Sequence, residues 1–106
     1  MIQRHWRGIA KSEKANNYIQ HLLTETFPQL GKINGFKSAS ILKKETQNGI
    51  EFLVITVWES IENIKKFAGE EVEIAVVPQV VKDLMLSYDE FVTHYEVANS
   101  YNPLGN

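Results

Sequence analysis

Few side chains in this 106-residue chain are able to do chemistry. His5 and His94 are the candidates for moving a proton. Imidazole titrates near neutrality, so it can take a proton from a weak acid such as a phenol and return it. Each has a plainer reading as well: His5 as an exposed histidine near a strand end, His94 as an inter-strand or interface histidine satisfied by a hydrogen bond. Arg7, together with Arg4, can hold an anionic group of a small ligand; either can equally be a flanking charge at a strand terminus. Trp58 can stack on an aromatic ligand or close the core against a helix. Tyr88 can cover a pocket mouth or be an ordinary loop tyrosine. His21 falls away from the apolar stripe of its helix and reads as solvated.

Other chemistries find no support. The three histidines are not spaced as a metal site, and no H-E-x-x-H pattern exists. Glu70, Glu71 and Glu73 read as a charged face at a helix start, not as a catalytic carboxylate pair. With no cysteine there is no disulfide, thiolate nucleophile or thiolate metal site, which suits a reducing compartment. Nucleophile elbow, phosphate loop and dinucleotide fingerprint are all missing. Net charge is -2, and the densest basic spots are only Lys43-Lys44 and Lys65-Lys66, so nucleic acid is not an expected partner. No apolar run approaches the roughly 20 residues that span a bilayer. The N-terminal "MIQRHWRG" does not read as a signal peptide. The expectation is a soluble cytoplasmic protein.

The elements that must position these groups follow from periodicity. Hydrophobic residues are 43% and charged residues 23%, as in an ordinary globular domain. One domain over residues 1–98 is expected, followed by a loose C-terminal tail over 99–106, rich in turn residues. Residues 2–10 read as a first strand, with Gly8 marking a close approach or a bulge. The stretch from Ser12 to Phe27 is a helix with Ala15, Tyr18, Ile19, Leu22 and Leu23 on one face, Ser12 as its cap and Pro28 as its end. Residues 35–47 and 50–59 are strands joined at Asn48-Gly49, the strongest short hairpin signal. A plain two-residue turn there pairs Leu42 with Ile55 and Ile41 with Thr56. Ser60 caps a short helix that stops at Gly69. Residues 70–77 read as a second helical piece broken by Pro78, with a further turn after it, and residues 89–97 as the last strand.

The order β-α-β-β-α-β defines an α+β, ferredoxin-like antiparallel sheet, with strand order 4-1-3-2 and helices on one face. Its central strand contains "FLVITVW", which is apolar on both faces. Helices cover one face. Leaving the other wet would forfeit roughly 1.5–3 kcal/mol for each large side chain. A second copy packed sheet to sheet across a two-fold axis is the economical remedy; a long segment or tail folded over the face is the alternative.

Several stretches, "GFKSASIL", "EFLVITVWES", "KKFAGEE" and "VTHYEV", resemble the antibiotic biosynthesis monooxygenase-like group of the dimeric α+β barrel superfamily. The resemblance covers roughly residues 3–97. It implies a homodimer through the sheet face and a pocket between sheet and helices in each subunit, with Phe67 on the helical side. It suggests a cofactor-independent monooxygenase-like activity on a small aromatic or quinone-type molecule. A non-catalytic homodimeric module binding a small hydrophobic or stress-related ligand is the alternative. Haem-degrading relatives rely on an Asn on the first strand and a Trp and a His on the second helical region. The comparable positions here are His5, Phe67 and Val76 or Val77, which argues against haem breakdown.

Overall fold

The structure is a computed structural model that describes residues 1–104; the last two residues of the expected tail lie outside it. Five strands form one antiparallel sheet: β1 (Ile2–Ala10), β2 (Phe36–Glu45), β3 (Ile50–Trp58), β4 (Met85–Tyr88) and β5 (Thr93–Glu96). The order is β2-β3-β1-β4, and β5 also pairs with β1. The expected order therefore holds, with the fourth position divided between two short strands. β4 pairs with Gly8–Ala10 and β5 with Ile2–His5. Only Thr93–Glu96 of the expected last strand is extended in the ladder, and Met85–Tyr88 was not foreseen. The break falls where the Trp6 indole donates to the Asp89 carbonyl at 2.8 Å and the Asp89 amide donates to Arg7 at 2.9 Å.

The β2–β3 hairpin is wider than a two-residue turn. Glu45 pairs with Ile50, Leu42 with Leu53 and Ile41 with Val54, two residues from the expected register. The Thr46 hydroxyl accepts from the amides of Asn48 and Gly49 and donates to the Gly49 carbonyl at 2.8 Å. That side-chain turn replaces the primed turn, and neither Asn48 nor Gly49 has positive φ. A slip of two residues preserves which side chains share a face.

The helical layer begins with a 3-10 turn (Ser12–Lys14), in which Ser12 makes no capping bond. It continues through α1 (Ala15–His21), a π-helical stretch (Leu22–Thr26) and α2 (Phe27–Leu30). Pro28 thus does not end the helical run, contrary to expectation. A proline ring clashes with the carbonyl four residues back and supplies no amide; the widened turn before it relieves both problems. α3 (Ile61–Ala68) is capped by the Ser60 hydroxyl, which accepts from the Asn63 amide, and it stops at Gly69 with φ 83°. α4 (Gln79–Lys82) is a single turn after Pro78.

Residues 70–77 are not helical. Their backbone runs beside the β4–β5 connection: Val92 donates to the Glu73 carbonyl at 2.8 Å and Ala75 to that of Glu90 at 2.9 Å. The carbonyls of Val72 and Ile74 accept from the Arg4 guanidinium instead of from a helical turn. These side-chain and cross-segment bonds satisfy backbone groups that a helix would otherwise pair internally.

Alternation then divides the sheet. Arg4, Gly8 and Ala10 of β1 and Phe52, Val54, Thr56 and Trp58 of β3 are buried beneath the helices. Leu53, Ile55 and Val57 point the other way and are only half-buried. No described helix is long and apolar enough to cross a membrane.

Candidate functional site

A cavity of about 440 Å³ lies between β1 and the helical layer. Trp6, Tyr18 and Phe67 give it aromatic walls; His21, Glu25 and Lys66 are among its polar lining. A smaller chamber of about 80 Å³ shares Trp6, Tyr18, Leu22, Thr26, Leu30, Phe67 and Val76 with it and reaches Arg4 and Thr56. The π-helical stretch lines both, through Leu22 and Thr26. Such widened turns recur at functional sites because they re-aim side chains without breaking the helix.

The shape of this space depends on two fixed aromatic groups. The Trp6 indole lies along its own strand above Gly8, where a β-carbon would stand 2.7 Å from the ring. Gly8 is therefore the close approach that the sequence suggests. Phe67 stacks on Trp58 with ring centroids 6.3 Å apart, and the Arg4 guanidinium carbon sits 5.7 Å from the Phe67 centroid. Tyr18 meets Phe52 edge to face at 5.0 Å, and burial pushes its hydroxyl well above the usual phenol range.

Arg4 is the unusual group. It is only 5% exposed. One terminal nitrogen donates to the Val72 carbonyl and, at 3.0 Å, to His94 Nε2; the other donates to the Ile74 carbonyl at 3.2 Å. A guanidinium has no acceptor, so His94 Nε2 must accept, and His94 is neutral with its proton on Nδ1. Burial, and secondarily the Arg4 charge, pulls the His94 pKa down, which agrees with that tautomer. Burial also pulls Arg4 down to about 10, against an opposing influence from Glu73. At neutral pH the cation persists.

The structure separates the candidate residues. Phe67 lines both chambers. His94 holds Arg4 from behind and does not line either one. Trp58 is fully buried, and its indole donates to the Thr56 hydroxyl at 2.8 Å. It supports Phe67 without facing the cavity. Tyr88 pairs with Gly8 behind Trp6, with ring centroids 6.4 Å apart. His5 and Arg7 lie on the opposite face of the sheet. His5 packs against Tyr95 at 5.0 Å and bonds Gln3, and Arg7 faces Glu51 at 3.8 Å. His21 is half-buried and lines the larger cavity. Three residues beyond Tyr18 places it about 60° round the helix, on the flank of the buried face.

Arg4, Trp6 and Tyr18 define the site more than His5, Arg7, Trp58, Tyr88 or His94 do. The signal was present in β1: Trp6 and Ala10 mark the covered face by alternation, and Arg4 shares their parity. Among the described residues, no cluster of three His, Asp or Glu side chains is arranged to hold a metal.

The fold and this cavity together define a ferredoxin-like α+β domain with its pocket between sheet and helices. No family model matches the chain, and no curated protein does. Two solved structures carry the same fold, each described as a "putative antibiotic biosynthesis monooxygenase". The one from Bacillus cereus is 24% identical, with a TM-score of 0.66, over 95% of this chain and 94% of its own. The one from Deinococcus radiodurans is 18% identical, with a TM-score of 0.68, over 99% of this chain and 100% of its own. The resemblance read from the sequence is thus met in the fold.

Proposed function

We propose that this chain is a monooxygenase-like enzyme, without metal or organic cofactor, that oxidises a small aromatic or quinone-type molecule in the cavity beneath its helices. The carrying observation is the aromatic cavity together with the smaller chamber, sharing its walls, that reaches Arg4. A phenol lying between Trp6 and Phe67 directs its oxygen toward the guanidinium. A buried cation favours the phenolate, which is the electron-rich form that reduces oxygen. The balance closes with O2 alone. A phenol with a free para position takes one oxygen atom and becomes the quinone; the other atom leaves as water, and the four electrons lost by the ring are the four that O2 accepts.

His94 acts here as the positioning residue for Arg4. His21 and Glu25 line the larger cavity but not the chamber that reaches Arg4, so the phenolic proton passes to water and not directly to either side chain. The proposed assembly is a homodimer through the open sheet face, acting in the cytoplasm. Its support is the half-buried Leu53, Ile55 and Val57, with Leu42 45% exposed and Tyr95 56% exposed on the same face. His5 and Arg7 then belong to the subunit interface.

One observation favours the second reading, a dimeric binding module without turnover: His94, the acid-base candidate, does not line the cavity. Oxygen uptake across a panel of phenols and 1-naphthols with a free para position separates the two. Uptake with quinone formation is expected; none across the panel, with ligand binding retained, leaves the binding module. Haem titration is expected to give no Soret shift, and a clear shift overturns the cofactor-free reading.

A further inference from the structure

The smaller chamber holds a buried positive charge that the protein itself does not neutralise. The contacts of Arg4 are two backbone carbonyls, the neutral imidazole of His94 and the face of Phe67. Among the described residues Arg4 forms no ion pair, and Glu73, an exposed side chain, acts on it only at a distance. A guanidinium carries five N–H donors, and these contacts engage three. A desolvated charge with free donors is costly unless an anion arrives to pair with it. The same chamber opens onto aromatic walls, and the larger cavity falls in the usual size range of small-molecule sites, about 300–1,000 Å³.

We infer that the deep chamber is an anion-selecting subsite, and that the ligand is a planar fused aromatic already ionised at one end, such as a hydroxyquinone or an aryl carboxylate. Arg4 is its specificity-determining residue: the anion takes the two free N–H donors while the rings lie between Trp6 and Phe67. This rests on the cavity being the ligand site, as proposed above, but not on oxidation taking place there. It also explains why Arg4 is held so firmly. Carbonyls of residues 72 and 74 and His94 fix the plane of the guanidinium, so a carboxylate or enolate meets preoriented donors.

The test is calorimetric titration with 2-naphthoate and 2-naphthamide, nearly isosteric and differing in charge. Neither carries an oxidisable hydroxyl, so the outcome is independent of turnover. The naphthoate is expected to bind at least about tenfold more tightly, or ~1.4 kcal/mol. Arg4→Met is expected to reduce that preference below about twofold, and Arg4→Lys to keep part of it, because the charge remains while the fixed fork is lost. Equal affinity of the wild-type protein for both probes, or no binding of either at millimolar concentration, overturns the inference even if Arg4→Met does not fold. So does loss of the preference in Lys66→Met with its retention in Arg4→Met, which would place the selecting charge on the larger cavity's wall. Charge preference without oxygen uptake from any phenol or 1-naphthol with a free para position would sink the enzyme reading and leave this one standing.

Discussion

Arg4 and Arg7 stand three residues apart on one strand and live in different media. Arg4 faces the helices, is 5% exposed and is held by carbonyls and an imidazole. The Arg7 side chain faces the open side, is 56% exposed and lies 3.8 Å from a carboxylate. The exposed arginine has a counterion and the buried one does not. A charge in water needs no partner, whereas a desolvated charge is kept without one only at a cost. The same contrast runs through the whole sheet: the covered face is packed and aromatic, and the open face leaves Leu42, Leu53, Ile55, Val57 and Tyr95 partly exposed beside the charges of Arg7, Lys44 and Glu51.

The largest test of that contrast is core removal on the covered face. Trp58→Ala empties a fully buried site that supports Phe36 and Phe67. It is expected to destabilise the fold by ~3–5 kcal/mol in denaturant unfolding. Val57→Ala, one residue away on the open face, is expected to cost about 1 kcal/mol at concentrations where the chain is monomeric. Comparable losses would mean that the open face is already covered within one subunit.

Next comes a charge on the open face. Ile55→Glu is expected to leave the circular dichroism of the subunit unchanged and to weaken self-association at least about 30-fold, or ~2 kcal/mol, read by sedimentation. A wild-type chain that sediments only as a monomer at micromolar concentration would remove the dimer altogether.

A smaller effect is expected from pH. His94 and His5 both have folded-state pKa values below that of a free histidine, for which burial is the leading cause. The unfolded chain then binds more protons, so stability is full above about pH 6.5 and falls as pH drops through that value toward the depressed folded ones. His94→Asn offers Arg4 an acceptor that does not titrate. It is expected to flatten part of the acid loss, and an unchanged pH profile would show that the Arg4–His94 contact carries none of it.

These contrasts were only partly legible in the sequence. Strand order followed from β-α-β-β-α-β, because helices and strands with clear periodicity leave few topologies. The faces of β2 and β3 also followed, since the hairpin slip was by two residues. The irregular 70–77 segment was not legible: its bonds run to Arg4 and to residues 90 and 92, which local propensity cannot see. Nor was the helical run through Pro28, where a π turn absorbs the proline. The candidate site split for a related reason. His5 and Arg7 have the residue types for chemistry, while facing is set by parity with Trp6. Trp6 is the more informative residue, because its indole fixes both the cavity wall and the break between β4 and β5.

The smallest expected change is at Arg7. Its contact with Glu51 is long, and Glu51 is shared with Lys44 at 3.7 Å. Arg7 is the exposed partner of a half-buried carboxylate that keeps a second cation, so its removal forfeits little Coulomb energy and frees a long side chain. Arg7→Met should therefore change stability by under about 1 kcal/mol in dilute solution, with the difference shrinking further as salt is added. The informative variable is protein concentration. If a second sheet packs on this face, Arg7 loses its water on association, and the cost of the substitution should grow where the dimer is populated. A penalty that stays flat across concentration would place Arg7 at the rim or outside the contact, and would confine the proposed interface to Leu53, Ile55, Val57 and their neighbours on β2 and β5.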